Sequence, residues 1–245
     1  MIELIEKHSF QSLPSEGEED YDGWLLRKSR HLAKRANSVN FPGRVKSQIS
    51  LPDKIDHCEA VYRSLNQPVV FRMTKLADDG LVELLKDRGY RSLDETSILT
   101  RELETAPSAD PTVVLTSQLD DKQFADLCLL TNKPVDKARI YQENLKRIPH
   151  KTLFGFIYDG DKAIAVGMAT YGDGLMGLFE FATDPYYQRQ GLATRILNTL
   201  VNQGIQNGIS TAYLQVVTKN EKGTGFWQTQ GFSGPLYNYI YYLKR

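Results

Sequence analysis

Apolar positions in the second half of the chain recur in two patterns that together predict an ordered series of strands and helices. Short alternating or continuous apolar runs are typical of strands, whereas apolar residues spaced by three and four are typical of helices. From residue 113 onward the predicted order is strand, two helices, three strands, helix, strand, helix and strand. The strands are expected at Val113–Gln118, Lys151–Tyr158, Ala163–Tyr171, Leu175–Thr183, Thr211–Val217 and Leu236–Leu243.

Capping residues place the helices between these strands. Asp120 is a residue type favoured at N-caps, and it precedes apolar positions at helical spacing. A second helix is expected to start at Asp136 and to end before Pro149. The remaining helices are expected at about Arg189–Asn207, with Gly208 as the C-terminal cap, and at Asn220–Gln230.

The first half of the chain has a less regular pattern. Segments Gly23–Arg30 and Ala33–Val39 predict a hairpin. They are followed by a predicted helix at Pro52–Leu65, a strand at Val69–Thr74, a helix ending at Gly89 and a strand at Thr96–Leu103. The segment Thr105–Pro111 combines two prolines with small polar residues, which is typical of a linker. It predicts two domains, at residues 1–105 and 112–245.

Composition narrows the class of protein. The 245 residues contain 30 Lys and Arg against 30 Asp and Glu, so the net charge is zero, which argues against general nucleic-acid or membrane-surface binding. No apolar run is long enough to span a membrane, and the acidic start of the chain lacks the pattern of a signal peptide. Cys58 and Cys128 are expected to be buried free thiols, and the four histidines lack metal-ligand spacing. A cytoplasmic protein without a metal is expected.

The segment Asp184–Thr194 has the features of an anion-binding site. It follows the predicted strand that ends at Thr183 and opens the long helix. Main-chain N–H groups at a helix N-terminus lack intrahelical partners, and the helix dipole adds partial positive charge there. Gly191 and Ala193 are small, so a ligand can approach the main chain closely.

This segment resembles motif A of the GNAT superfamily of acyl-CoA-dependent N-acetyltransferases. The family pattern Gln/Arg-x-x-Gly-x-Gly/Ala is filled by Gln188, Gly191 and Ala193. A second family motif, Asn-x-x-Ala-x-x-Phe/Leu-Tyr-x-x-x-Gly-Phe, is matched in part by Asn220, Phe226 and Gly231-Phe232. Across residues 112–245 the resemblance implies the α/β GNAT fold, in which helices flank a mixed central sheet.

The resemblance also implies acetyl-CoA as the acyl donor and indicates the residues that would bind it. Main-chain groups of the strand before motif A would hold the pantetheine arm, the loop would hold the pyrophosphate, and an asparagine would contact the arm. Three alternatives remain: the loop is an ordinary strand-to-helix connection, Phe181 is a core residue, and Asn220 is a helix N-cap. These residues are Phe181, Ala182, Thr183, Gln188, Arg189, Gln190, Gly191, Leu192, Ala193, Thr194 and Asn220.

The N-terminal half resembles a degenerate second unit of bacterial two-unit GNAT proteins. Leu84–Tyr90 aligns with Phe226–Phe232, since both are helix ends followed by a glycine, an aromatic residue and a strand. No motif A occurs in residues 1–110, so no coenzyme A site is expected there. The role of this half is expected to be structural, or to help form the site for the acyl acceptor.

The groups that would transfer protons depart from the family pattern. Trp227 stands where the family often has a tyrosine acid, and an indole cannot release a proton at neutral pH. Tyr239 is a replacement candidate, although its stripe with Tyr237 and Tyr241 is more typical of packing. Glu180 is the candidate base, because it is expected to share a strand face with the apolar residues Met176, Leu178 and Ala182, where desolvation would raise its pKa. A salt-bridged carboxylate is the alternative for Glu180.

The resemblance therefore implies direct acetyl transfer, in a ternary complex, to a primary amine of a small molecule or peptide. His150, in a loop that could border the acceptor site, is more typical of a surface histidine. An acyl-CoA-binding regulatory or scaffold protein with weakened catalysis is the alternative function. A homodimer is compatible with the sequence, and nucleic-acid and membrane partners are not expected.

Overall fold

The computed structural model describes residues 1–30 and 33–244; His31, Leu32 and Arg245 lie outside the described residues. The N-terminal half contains α1 Ile2–Ser12, β1 Gly17–Tyr21, β2 Trp24–Lys28, β3 Ser38–Asn40, α2 Leu51–Ser64, β4 Val70–Met73, α3 Leu81–Asp87 and β5 Arg91–Glu102. The C-terminal half contains β6 Val114–Thr116, α4 Asp121–Leu130, α5 Ala138–Leu145, β7 Lys151–Asp159, β8 Lys162–Gly172, β9 Leu175–Thr183, α6 Leu192–Gln206, β10 Thr211–Val217, α7 Glu221–Thr229 and β11 Ser233–Leu243.

The described strands form one mixed sheet, in the order β1-β2-β3-β4-β11-β5-β10-β9-β8-β7-β6. Neighbours are antiparallel except for β3 with β4 and β9 with β10. Side chains alternate across each strand, so apolar clusters are buried on both faces of the sheet. Helices α6 and α7 cover one face through a cluster that includes Leu178, Leu214 and Trp227. Helices α1 and α4 cover the opposite face of the C-terminal strands.

The two halves of the chain exchange strands in the middle of this sheet. Strand β5 lies between β10 and β11, and β11 lies between β4 and β5. The register pairs Thr211 with Glu102 and Val217 with Thr96, so β5 covers the full length of β10. The division into domains at 1–105 and 112–245 stays a prediction, and any such domains share one continuous sheet.

The same strand–helix–strand unit occurs on both sides of the exchange. In β4-α3-β5 and in β10-α7-β11 the crossover skips one strand, which the other unit supplies. Each helix is followed by a glycine with positive φ, 86° at Gly89 and 79° at Gly231, and then by a buried aromatic residue, Tyr90 or Phe232. The predicted local match is therefore confirmed, whereas a complete second GNAT-like unit stays a prediction.

Most elements of the C-terminal half lie close to their predicted bounds. Strands β9 and β10 have those bounds, and the main-chain N–H of Gln123 donates to the Asp120 carboxylate at 2.8 Å, which confirms the cap of α4. The long helix was expected from about Arg189 but begins at Leu192. Arg189 and Gly191 have φ of 64° and 75°, and such left-handed conformations do not continue a right-handed helix.

The N-terminal half departs further from the prediction. The expected hairpin of Gly23–Arg30 with Ala33–Val39 is correct only for the pairing of β2 with β3. Strand β2 also forms a tight hairpin with β1, turning at Asp22-Gly23, and neither β1 nor α1 was predicted.

The expected linker has no regular structure but is fixed along α6. Its Asp110 accepts a hydrogen bond from Arg195 Nε at 2.6 Å and donates one from its main chain to Thr199 at 2.9 Å. Both cysteines are free, as predicted, although Cys128 is only half-buried. None of the helices in the described part of the chain has the length and apolar character needed to cross a membrane.

Candidate active site

Strands β9 and β10 diverge halfway along their length. They pair in parallel from Leu175 with Thr211 to Leu178 with Leu214, and no pairing follows. Beyond that point β9 continues beside β8, and β10 continues beside β5. The main-chain groups of β9 that face β10 are therefore without a strand partner after Leu178, and the sheet has a gap there.

A β-bulge in β9 lies at this gap. Phe179 is opposite Met168 and Ala182 is opposite Val166, so β9 has one more residue than β8 between these pairs. Glu180 has a φ of 54°, which is uncommon for a residue with a side chain. Bulges re-aim the side chains that follow them, and they occur often beside active sites.

The bulge overturns the expected surroundings of Glu180. It was predicted to share a face with Met176, Leu178 and Ala182, as strict alternation requires. Instead Ala182 packs with Phe179 in the cluster beneath α4, while Phe181 packs in the cluster beneath α6 that contains Leu178. The extra residue shifts the alternation by one position, so Leu178 and Ala182 lie on opposite faces and Glu180 cannot share a face with both.

A cavity of about 480 Å³ occupies the gap and is lined from both faces of the sheet. Phe181, Val216 and Trp227 belong to the side of α6 and α7. Phe179 and Ala182 belong to the side of α1 and α4. The polar lining comes from Arg35, Thr131, Lys133, Glu180, Gln215 and Asn220. Of the residues expected at the site, the structure places Glu180, Phe181, Ala182 and Asn220 in the wall of this cavity.

The loop before α6 presents main-chain groups to solvent. Gln188 through Gly191 are exposed, and a short 3-10 turn, Pro185–Tyr187, precedes them. No side chain caps the helix at Gly191, and a Cβ there would meet no atom within 4 Å. The N–H groups of Leu192, Ala193 and Thr194 therefore lie at an open helix N-terminus, which favours an anion. In the chain, Thr183 follows Ala182 of the cavity wall and precedes this loop.

Asn220 is both a helix cap and part of the cavity wall. Its side-chain oxygen accepts from the Gly223 main chain at 3.0 Å and so begins α7. A Cβ on Gly223 would come within 2.5 Å of the Asn220 amide, so the glycine makes room for the cap. The two roles expected as alternatives for Asn220 are compatible.

Trp227 packs at the cavity wall within an aromatic cluster. Its ring lies edge-on to Phe181, Phe226 and Phe232, with centroids 5.0, 4.8 and 5.4 Å away. Only 8% of the residue is exposed. The indole therefore shapes the cavity as a large apolar wall.

Glu180 forms an ion pair at the other side of the cavity. Its carboxylate accepts a hydrogen bond from Lys133 Nζ at 2.8 Å. The Lys133 ammonium also lies 4.6 Å from the ring centroid of Tyr141. Burial and the nearby Glu180 carboxylate raise the pKa of Tyr141 well above its usual value, so this phenol stays protonated. Lys133 and Tyr141 were not predicted, since only the folded chain brings them to Glu180.

Tyr239 does not line the cavity, but it forms a hydrogen bond with Gln215, which does. Its hydroxyl donates to Gln215 Oε1 at 2.9 Å, and the amide of Gln215, which lines the cavity, donates to Ser9 of α1 at 2.6 Å. Tyr237, Tyr239 and Tyr241 pack in one apolar cluster and Tyr242 in a different one, as the alternation predicted. Tyr239 reaches the cavity only through Gln215.

His150 is not the surface histidine that was expected. Its ring stacks on buried His8 of α1 at a centroid distance of 4.2 Å. His8 Nδ1 also shares a hydrogen bond of 2.8 Å with the Tyr213 hydroxyl. Burial, followed by the nearby His150, lowers the pKa of His8 to about 3, and burial lowers that of His150 as well. This pair fixes α1 to the sheet, and His150 does not line the cavity.

Comparison with known proteins identifies the family. The family model described as "Probable histone acetyltransferase Rv0428c C-terminal" matches residues 1–234 of the chain. The chain belongs to this family of GNAT acetyltransferases. The acetyltransferase is also 26% identical to the uncharacterized N-acetyltransferase YobR of Bacillus subtilis, over 100% of this chain and 99% of that protein.

Solved structures share the fold of this acetyltransferase. A GCN5-related N-acetyltransferase from Kribbella flavida superposes with a TM-score of 0.73 at 13% identity, covering 99% of this chain and 95% of that one. A tandem GNAT protein from the clavulanic acid biosynthesis pathway gives a TM-score of 0.62 at 8% identity, over 79% of this chain and 69% of that one. The protein is an acyl-CoA-dependent N-acetyltransferase with the GNAT fold, as the sequence predicted.

Proposed function

We propose that this acetyltransferase moves an acetyl group from acetyl-CoA directly to a primary amine of a small molecule or peptide, within a ternary complex. The observation that carries the proposal is the gap between β9 and β10, whose cavity is lined from both faces of the sheet. A donor on one face and an acceptor on the other could meet inside it. Holding both reactants in this way lowers the barrier by about 7–11 kcal/mol in favourable cases.

The donor would bind on the side of α6. The pyrophosphate would lie at the open N-terminus of α6, against the main chain of Gln188 through Thr194. The pantetheine arm would pair with the free edge of β9 at Phe181–Thr183 and reach Asn220. The acetyl thioester would then lie in the cavity, beside Trp227.

The acceptor would bind on the opposite side of the sheet, where Glu180 would act as the base. An ammonium must lose one proton before its nitrogen attacks, and the Glu180 carboxylate lines the cavity where that proton would be released. The new bond joins nitrogen to the acetyl carbon, and the C–S bond breaks with its electron pair on sulfur. The nitrogen then gives up its second proton, and the leaving thiolate takes up one proton to give coenzyme A. We assign Tyr239 a positioning role, since its hydroxyl holds Gln215 in the cavity wall.

Direct transfer fits the state of the two cysteines. Burial raises the pKa of the Cys58 and Cys128 thiols, so neither is a thiolate at neutral pH. Neither would therefore be an effective nucleophile for an acetyl-enzyme intermediate.

The N-terminal half would complete the acceptor side. We propose that it is a degenerate GNAT-like unit without its own coenzyme A site. The Arg35 side chain comes from this half and lines the cavity. A role in forming the acceptor site is therefore better supported than a purely structural one.

Calorimetric titration with acetyl-CoA tests the donor site in wild type, Gly191→Glu and Gly208→Glu. The two glycines lie at opposite ends of α6, have φ of 75° and 76°, and are open to solvent. Each substitution therefore carries a similar backbone cost, but only Gly191→Glu places a carboxylate at the proposed pyrophosphate site. We expect binding to be lost in Gly191→Glu and retained in Gly208→Glu. Equal binding by all three proteins would refute the site.

A further inference from the structure

Arg35 reaches the acceptor side of the cavity from the N-terminal half of the chain. It lies in a short 3-10 turn, Lys34–Ala36, between β2 and β3. Its side chain lines the cavity together with Glu180 and Gln215. The guanidinium carbon is 5.9 Å from the ring centroid of Phe179, which places it on the side of the sheet away from α6.

Buried Arg27 holds the turn that carries Arg35. Arg27 Nη1 donates to the main-chain oxygen of Arg35 at 2.7 Å. Its Nη2 donates to the oxygens of Phe10 and Leu13, and its Nε pairs with Glu18. One fully buried guanidinium therefore joins the end of α1, the β1–β2 hairpin and the Arg35 turn. This network holds the main chain of Arg35 beside the cavity.

The Arg35 charge lacks a compensating partner within residues 1–30 and 33–244. Its Nη1 is buried without a hydrogen bond, and no described carboxylate pairs with its guanidinium. By contrast, the fully buried cations of the described residues, Arg27, Lys54 and Arg72, are each paired with a carboxylate. Leaving a charged donor unpaired costs free energy, so this arrangement is expected where a ligand supplies the missing anion.

The charges of the cavity wall define the anion that fits. Lys133 and Glu180 compensate each other, which leaves one net positive charge, from Arg35. A single carboxylate matches that charge, and its two oxygens suit the fork of a guanidinium. A phosphate monoester would carry a charge of about −1.5 to −2, which exceeds the single net positive charge of the cavity wall. A second ammonium on the acceptor would be repelled by Arg35.

We propose that Arg35 binds a carboxylate of the acceptor, and that the acceptor is a small amino acid or similar amine that bears a carboxylate. The inference rests on the proposed function, since the amine would lie near Glu180 and the carboxylate near Arg35. Arg35 is then a specificity-determining residue that the N-terminal half contributes to the acetyltransferase site.

The test compares the common L-amino acids with the corresponding amino acid amides as acetyl acceptors. Each amide keeps the amine and the shape but replaces the carboxylate by a neutral group. Rates of coenzyme A thiol release are measured in wild type, Arg35→Gln, Arg35→Lys and the control Arg139→Gln. Arg139 is an exposed arginine of α5, 89% accessible in its side chain, and lies outside the cavity wall.

We expect wild type to prefer at least one amino acid over its amide by about 10- to 100-fold in kcat/KM, the range for a hydrogen bond between charged groups. In Arg35→Gln the ratio of kcat/KM for the amino acid to kcat/KM for its amide should fall towards one, because the KM for the amino acid should rise. Arg35→Lys should restore part of it, and Arg139→Gln should keep it. A ratio near one in wild type, or an equal ratio in wild type and Arg35→Gln, overturns the inference. So does weaker acetyl-CoA binding in Arg35→Gln, because Arg35 would then belong to the donor site.

A binding measurement separates this inference from the proposed function. N-acetyl amino acids and N-acetyl amino acid amides are titrated into the complex of the protein with coenzyme A. If wild type acetylates no amine but binds an N-acetyl amino acid more tightly than its amide, and Arg35→Gln does not, the proposed transfer fails and the carboxylate site stands. If neither turnover nor binding depends on the carboxylate, the inference fails.

Discussion

The side chains that reach the cavity are determined at the scale of single residues by the bulge in β9. Phe179, Glu180 and Phe181 lie at or beside the extra residue, and each has a different environment. Phe179 faces α1, Phe181 packs with Trp227, and Glu180 pairs with Lys133. Because of this inserted residue, the Glu180 carboxylate lines the gap between β9 and β10 although both of its sequence neighbours are phenylalanines.

Removing the charge of Glu180 should reduce catalysis without affecting donor binding. In Glu180→Gln the side chain keeps its shape and an oxygen that can accept from Lys133, but it cannot take up a proton. We expect kcat to fall by about 10²- to 10⁴-fold, the usual contribution of a general base, with the Kd for acetyl-CoA unchanged. Steady-state kinetics and calorimetry give the two values. Glu143→Gln on the exposed face of α5 is the control, and a kcat equal to wild type in Glu180→Gln would refute the role.

Replacing the indole of Trp227 should affect stability more than chemistry. Because an indole donates no proton at neutral pH, Trp227→Phe should lower kcat by less than about tenfold, well below the loss expected for a general acid. It should lower the melting temperature, since the ring packs against three phenylalanines. Trp227→Tyr should keep or raise turnover. Trp24→Phe, in the apolar cluster of the N-terminal half, controls for the loss of a buried indole. A loss of several hundredfold in Trp227→Phe would contradict this account.

At the scale of elements, α1 contacts the sheet through polar side chains. Glu6, His8, Ser9 and Ser12 are buried on its inner face. Glu6 forms a buried ion pair with Arg72 and accepts from the Tyr237 hydroxyl, while Ser12 shares a hydrogen bond of 2.8 Å with Thr170. The helix is therefore held by specific partners as well as by apolar burial.

The buried histidine of α1 should make stability fall in mild acid. His8 has a pKa of about 3 in the folded protein and about 6.5 when unfolded, so between these two pH values mainly the unfolded chain binds this proton. The unfolding equilibrium should shift towards the unfolded state by up to about tenfold per pH unit between 6.5 and 3, and His8 should contribute nothing above pH 7.5. His150 acts in the same direction, and Asp173 and Lys7 are the charged groups nearby.

Urea unfolding at pH 7.5 and 5.5 measures this effect. His8→Asn should show a smaller loss of stability between the two pH values than wild type does. His57→Asn, which removes a histidine from the separate Glu19 and Tyr21 contacts, should keep the slope that His8 contributes. An identical loss in wild type and His8→Asn would contradict the assignment.

The contrast between α1 and β9 indicates what sequence patterns can predict. Strand β9 is a run of mainly apolar residues between Gly174 and Asp184, so its bounds follow from local sequence. Four of the six buried residues of α1 are polar, which obscures its apolar period. Its polar partners Arg72, Thr170 and Tyr213 are far away in sequence. The bulge and the position of Arg35 were missed for the same reason, since both depend on pairing and packing between distant segments.

At the scale of the whole molecule, the exchange of β5 and β11 joins the two halves. Without β11, strands β4 and β5 lose the strand that lies between them. Glu6 also loses its hydrogen bond from Tyr237, and Arg72 loses its contact with the Tyr239 ring. Without β5, strand β10 loses its antiparallel partner. Neither half can complete its sheet alone.

Separate expression of the halves should therefore fail to give folded domains. We expect a fragment of residues 1–111 to show no cooperative thermal transition, because an unpaired interior edge cannot be satisfied within the fragment. Mixing it with residues 112–245 during refolding should restore the transition. Circular dichroism during heating measures both. A fragment 1–111 that melts cooperatively at the temperature of the full chain would contradict the prediction.

The strand exchange also has a consequence for biosynthesis. About 130 residues separate the end of β5 from the start of β11. At roughly 5–20 residues per second, the ribosome needs about 7–26 s to make that stretch. During this interval the nascent chain has made β4 and β5 but not the strand that lies between them, and open strand edges promote aggregation. The protein should therefore depend on chaperones while it is being translated, and a slow codon cluster in the intervening segment should lower its yield.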